Sequence, residues 1–173
     1  MRGGCLVTAC LGLAALLTAA ALLAAAGLTK SDEAFLKMAA DANMTEAHMG
    51  KVAENQGAVA GVRDFGQTLV KDHTQAYDQL EELAQKVGAP IPNGIDIAKD
   101  RPDERLIHMS GAKFDHDFVR DEVSSHREAI GAFRREAEHG QNPEVRAYAK
   151  KMVPVLEKHL HIAERLLKTT ARG

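Results

Sequence analysis

Residues 111–144 read GAKFDHDFVRDEVSSHREAIGAFRREAEHGQNPE. Apolar side chains recur there in steps of three and four, at Val119, Val123, Ile130, Phe133 and Ala137, with His126 standing in the same row. That spacing is the stripe of an amphipathic helix, not the alternation of a strand. Gly140 closes the run, and Asn142-Pro143-Glu144 opens the next: an N-cap, a proline at the first helical position and an acid in the first turn. The reading predicts one helix over about Gly111 to His139 and a second from Pro143 to the C-terminus. Two long helices joined by so few residues can only fold back as an antiparallel hairpin.

The same hairpin is written once before. Ser31 is a plausible N-cap ahead of Asp32 and Glu33, and a helix should run from it to about Gln56, where Gly57 stops it. A second helix is expected from about Ala58 to Val87, ended by Gly88 and kept from continuing by Pro90 and Pro92. Setting residue i against i+83 aligns the halves without a gap: Asp32 with Asp115, Phe35 with Phe118, Gly57 with Gly140, and Val62-Arg63 with Val145-Arg146. Identities are few, but they fall on a helix start, a turn and a stripe, as a duplicated hairpin would keep them.

Between the halves, the 22 residues from Ala89 to Ser110 are too many for a tight turn. At about 3.3 Å per extended residue they can run the length of a 28-residue helix, which is only about 42 Å. The expectation is therefore an all-α, ferritin-like four-helix bundle over residues 31–173, made of two repeated helical hairpins and one long crossover. The competing topology is an up-down-up-down bundle with a slack loop.

Composition sets the outer limits. The chain has 173 residues, 45% hydrophobic, 27% charged and only 4% aromatic, enough for one modest domain with an aromatic-poor core. With 22 Lys and Arg against 24 Asp and Glu, the formal charge of -2 supplies no field for a nucleic-acid backbone. Cys5 to Leu28 contains no charge and ends near Ala24-Ala25-Ala26. Residues 1–28 therefore read as a cleaved signal peptide or an N-terminal membrane anchor, and place the rest in the periplasm or outside the cell. A membrane is met only through that segment if it is retained; a protein partner is not legible. Both cysteines, Cys5 and Cys10, lie in this leader, so a metal held by the mature domain must be bound through nitrogen and oxygen.

Each of the four stripes carries one polar interruption: Glu46, His73, His126 and His159. All four lie about ten to sixteen residues from the turn that closes their hairpin. At about 1.5 Å per residue they should come within about two turns of one height. A carboxylate and three imidazoles at the waist of a bundle are ligands for a transition metal ion such as Zn, Fe, Cu or Ni. Glu122, one turn before His126, is an additional candidate, and Asp72 and Glu157 stand beside the stripes as supporting groups. The same residues can instead form a closed polar network with no metal, since a buried carboxylate is costly unless paired. The remaining histidines read as surface groups: His48 and His161 face away from the stripes, and His116 stands between Asp115 and Asp117. No serine is expected beside a stripe histidine, so nucleophilic catalysis has no candidate and a binding role is favoured over an enzyme.

The first hairpin carries Phe35-Leu36-Lys37, Thr45-Glu46-Ala47, Gly50-Lys51, Val62-Arg63-Asp64-Phe65 and Val70-Lys71-Asp72-His73, and the second carries Gly111-Ala112-Lys113-Phe114-Asp115, His126, Pro154 and Glu157-Lys158-His159. Together they resemble the bacterial exported ferritin-like family catalogued as domain of unknown function 4142, from about residue 32 to the C-terminus. The resemblance implies a ferritin-like bundle outside the cytoplasm with Glu46, His73, His126 and His159 at the matching positions; it implies no established activity. Di-iron relatives carry a Glu from each of two helices and Glu-x-x-His on the other two. No helix here has Glu-x-x-His on its stripe; the nearest approach there is Glu122 with His126, four apart and without a second copy, which argues against a ferroxidase. Three roles stay open: a metal-binding or stress-protection protein, a structural or interaction module, and an acid-sensing bundle whose neutral histidines charge below about pH 6.5.

Overall fold

A computed structural model describes residues 27–93 and 104–170; the expected signal peptide or anchor, residues 1–28, lies outside them but for its last two residues. The described residues form α1 (Lys30–Gln56), α2 (Ala60–Val87), the short α3 (Glu104–Ile107), α4 (Gly111–His139) and α5 (Pro143–Thr170), with no strand. Among these residues no helix is long and apolar enough to cross a membrane.

The helix ends follow the sequence with one correction. Thr29, not Ser31, caps α1: its hydroxyl accepts from the Asp32 backbone N–H at 3.2 Å, while Asp32 Oδ2 accepts from the Thr29 N–H at 2.9 Å. This reciprocal box satisfies two otherwise orphaned donors, which a lone serine two residues later could not do. Asn142 caps α5 as expected, its Oδ1 accepting from the backbone of Glu144 and Val145 at 2.9 and 3.2 Å. Gly88 ends α2 at φ 73, a left-handed conformation that favours glycine.

The ends of the helices show the topology. Asp32, at the start of α1, reaches the end of α4, where its Oδ1 accepts from the backbone of Gln141 and Asn142. Gln56, at the far end of α1, donates to the Ile107 carbonyl just before α4 begins. Thus α1 and α4 are antiparallel. Lys86 at the end of α2 pairs with Glu144 at the start of α5, and Gly61 at its beginning packs on Leu166. So α2 and α5 are antiparallel too, which leaves α2 and α4 parallel. The segment from Val87 to Gly111 therefore joins opposite ends of the bundle, the ferritin-like crossover rather than the slack loop. Its first part turns back along α2, where Tyr77 donates to the Pro92 carbonyl at 3.0 Å.

Contacts 83 positions apart repeat one another. Asp115 accepts from the backbone of Ala58 and Val59 at 2.9 Å each, as Asp32 does from Gln141 and Asn142. Arg63 donates to the Gly57 carbonyl, and Arg146 to that of Gly140. Each half thereby caps the second helix of the other.

The core lies in two apolar clusters. One holds Phe35, Leu36, Leu80, Phe133, Tyr148 and Met152, with Phe35 and Phe133 edge to face at 4.9 Å. The other holds Val62, Phe65, Leu69, Phe114, Phe118 and Val123, with Phe114 stacked on Phe118 at 5.5 Å. Between them is a polar waist.

Candidate metal centre

His73, His126 and His159 sit in that waist, on α2, α4 and α5, with only 2%, 1% and 0% of their surface exposed. Each occupies a stripe position whose neighbours one turn either way are apolar and buried, so the helix that buries those neighbours buries the histidine with them. Their ring centroids are 5.2 to 5.9 Å apart, and one ring nitrogen from each lies within 4.8 Å of the others.

The orientation of each ring follows from its outer hydrogen bond. Asn43 donates its amide N–H to the Ala39 carbonyl at 2.8 Å and to Tyr148 Oη at 3.2 Å, and Tyr148 in turn donates to the Ala76 carbonyl. The amide oxygen of Asn43 is therefore the atom facing His73 Nδ1, 2.9 Å away, and His73 must donate from Nδ1. His126 Nδ1 lies 3.0 Å from the Glu122 carbonyl, which can only accept. His159 Nε2 lies 3.0 Å from Asp72 Oδ2, so it donates there. With the outer nitrogens protonated, a neutral imidazole has a bare lone pair on the inner one. His126 Nε2 and His159 Nδ1 face each other at 3.4 Å, and His73 Nε2 is buried without a partner.

Burial and the neighbouring rings hold the His73 imidazole well below its ordinary range, and burial brings His159 to about 4 against the opposing pull of Asp72. Both are neutral bases at pH 7. For Asp72, burial pushes the carboxyl up, but donation from His159 and the nearby Lys158 charge outweigh it and keep it low. Such an ionised carboxylate behind an imidazole raises the basicity of the inner nitrogen.

A carboxylate pair adjoins the imidazoles. Glu46, Glu122 and His126 also bring one ligating atom each to within 4.8 Å. Glu122 Oε2 lies 3.3 Å from His126 Nδ1, and Ser125 donates to Glu46 Oε1 at 3.2 Å. Glu46 Oε2 and Glu122 Oε2 are both buried, the two carboxyls lying against each other. Burial, then the neighbouring Glu122, raises Glu46 well above the ordinary carboxyl range; burial raises Glu122 to about 7.

All five residues expected at the waist thus meet there, and Asp72 supports His159. Glu157 does not take part; it pairs with Arg134 at the surface, because one step along a helix turns a side chain about 100° away. His48 and His161 are exposed, and His116 bonds Asp117. Ser125 corrects the expectation that no serine lies beside a stripe histidine: its Oγ is 3.5 Å from His126 Nδ1. That nitrogen already spends its proton on a carbonyl, so it cannot deprotonate the hydroxyl. Asn43 and Ser125 are site residues that the stripes did not reveal, and Tyr148, on the stripe of the last helix, reads from the sequence only as apolar packing. Asn43 had a signal, since it stands 83 positions before His126.

Applying that register to the whole site shows it to be single. Asn43, Leu156, Ala76, Ala39 and Ala129 stand where His126, His73, His159, Glu122 and Glu46 would repeat. The Glu-x-x-His pattern occurs once among the described residues, as Glu136 to His139 at the end of α4 and away from the waist, so the waist lacks the two such helices of a carboxylate-bridged di-iron centre.

Fold and waist together define a ferritin-like helical bundle with an imidazole-rich interior. The chain belongs to the family described as Domain of unknown function (DUF4142), which matches residues 17–166. Among solved structures it is similar to a DUF305 fragment from Deinococcus radiodurans, at 14% identity and a TM-score of 0.71 over 83% of this chain and 99% of that one. It is also similar to a dodecameric thioferritin, the bacterioferritin-related protein from Bacteroides fragilis, at 19% identity and a TM-score of 0.66 over 84% and 89%. At such identities the likeness speaks for the fold alone. No curated protein matches.

Proposed function

We propose that this is an exported metal-binding bundle, in which His73, His126 and His159 hold one transition metal ion and Glu46 and Glu122 lie at its side. The observation that carries the reading is the set of outer hydrogen bonds. Asn43, the Glu122 carbonyl and Asp72 fix three imidazoles so that their unprotonated nitrogens gather in one dry place. Lone pairs gathered without a proton to share repel one another, and a cation removes the cost. Nitrogen donors with a neighbouring carboxylate suit Zn, Fe, Cu or Ni, and a bound ion would act there as a Lewis acid. Export is supported by the uncharged run from Cys5 to Leu28. The role proposed for the site is capture of a metal for protection rather than turnover.

Metal analysis of the purified mature chain tests this. One equivalent of metal, lost in His73→Ala together with a metal-dependent rise in melting temperature, is expected; no stoichiometric metal and no such rise would overturn it.

A second reading has its own observation. Glu122, with its carboxyl raised to about 7, can keep a proton and share it with Glu46 beside it, closing a metal-free polar network. That reading expects joint replacement of the three histidines by leucine to leave stability unchanged or raise it with no metal present, as for buried ionic clusters replaced by apolar ones.

A further inference from the structure

Between α1 and α4, above the waist, a cavity of about 380 Å³ opens to solvent. Its existence follows from the register of the two halves. Where α1 carries Glu46 and Met49, α4 carries Ala129 and Ala132 at the equivalent steps, and Ala42 faces them. The missing side chains leave the gap. Its walls are apolar, built from Met38, Phe133 and Leu156 beside the alanines, and its floor exposes His73 and Glu46. At one rim stands Arg135, which also borders the groove continuing toward the α4–α5 turn. The neighbouring arginines of α4 all hold carboxylates: Arg120 those of Asp117 and Asp121, Arg127 that of Glu164, Arg134 that of Glu157. Arg135 holds none among the described residues. The other charge at the rim, Glu128, lies two helical turns away on the same helix.

An apolar chamber of this size with an uncompensated guanidinium at its edge matches one class of molecule. We propose that the cavity binds a small carboxylate with an apolar body of about six to ten carbons, a size set by the usual volume of such pockets. Its anionic head rests on Arg135, and its body lies between Met38 and Phe133, pointing toward His73. The opposite orientation would bury the charged head beside the carboxyls of Glu46 and Glu122, out of reach of Arg135. The guanidinium fork suits a carboxylate and stays partly solvated, so it takes the head without burying it. This site does not depend on the metal reading, because none of the groups that hold the carboxylate is a metal ligand.

Titration calorimetry with benzoate, octanoate and the neutral benzyl alcohol tests it, on the protein as purified and after chelation. Both acids should bind the parent chain, and Arg135→Gln should weaken them about tenfold while leaving benzyl alcohol unchanged. Ala132→Phe, which fills the chamber, should abolish all three without changing metal content; Ala129→Leu serves the same purpose should the larger ring prevent folding. No binding of either acid, or binding that survives the filled cavity, would overturn the proposal. So would acid binding that is indifferent to Arg135→Gln, since the anionic head would then not rest on Arg135. A parent chain that carries no stoichiometric metal as purified and yet binds both acids would count against the metal reading alone.

Discussion

His73 is neutral, buried and oriented by an amide that is itself oriented twice, by the Ala39 carbonyl and by Tyr148. A polar chain of this kind is stabilising only when complete, because each member left unpaired in a dry interior costs about 1–3 kcal/mol. Its members therefore act together. Asn43→Leu should free the His73 ring to rotate and swap its tautomer, and Asp72→Asn should deprive His159 of its charged acceptor. Removing such supporting partners typically weakens metal binding by about 10–100-fold. Competition against a chromogenic chelator should show that loss in both variants while the helical circular dichroism stays that of the parent; unchanged affinity in both would mean that the outer hydrogen bonds do not set the site. The stripes displayed the three histidines because a polar residue in an apolar row is conspicuous. They did not display Asn43, because α1 is so rich in alanine that its buried face is ambiguous: Asn43 is buried while Ala42, beside it, is only half so. An asparagine facing inward looks like any surface amide until its partners are known.

Among the helices, the two hairpins reach the same architecture by different packing. Gly50 of α1 and Gly66 of α2 lie against each other so closely that a Cβ on Gly66 would sit 2.5 Å from the Gly50 carbonyl oxygen and 2.7 Å from the Glu54 nitrogen. Their counterparts 83 positions on are Phe133 and Ala149, so α4 and α5 fill with side chains the space that α1 and α2 leave out. Backbone cannot retreat as a flexible side chain can, and overpacking of this sort costs about 1–3 kcal/mol. Gly66→Ala should lie at the upper end of that range in urea unfolding, whereas Gly131→Ala, where the nearest atom is the tip of Arg135 at 3.5 Å, should be neutral or slightly stabilising. Equal effects in the two variants would contradict the close approach. The helices and the turns at Gly57, Gly88 and Gly140 were legible because glycine, proline and capping residues punctuate them. The Thr29 cap was not: both Thr29 and Ser31 can cap, and only the reach of Asp32 back to Thr29 decides between them.

Across the whole molecule, stability must respond to pH at both ends of the bundle's buried acids and bases. At the end opposite α3, burial and the nearby Asp32 raise the Glu136 carboxyl from 4.5 to about 7, and its Oε1 has no partner. The folded chain thus holds this proton more tightly than the unfolded one. Stability contributed by the neutral carboxyl is full below about 4.5 and falls as pH rises to about 7. Glu136→Gln should flatten the pH profile of the urea midpoint across that window; a profile that keeps the parent's slope would rule out Glu136 as its source. His73 and His159 act in the opposite sense. His159, at about 4 when folded, withdraws stability as pH falls from 6.5 toward that value. The crossover was legible from length alone, since a linker of 22 residues is long enough to travel the bundle. The reciprocal contacts of Asp32 and Asp115 were not, because a matched pair of acids in two halves does not say that each serves the other half.

Those reciprocal contacts have a bearing on how the chain could be assembled from parts. Glu46 and His73 belong to the first half, Glu122, His126 and His159 to the second, and at each extremity a carboxylate of one half grips the backbone of the other. Neither hairpin alone owns the ligand set, and any ion seated among the imidazoles would clasp the two together. Produced as separate polypeptides, the halves should therefore recombine, and should do so more tightly when metal is supplied, which makes fragment complementation a readout of occupancy.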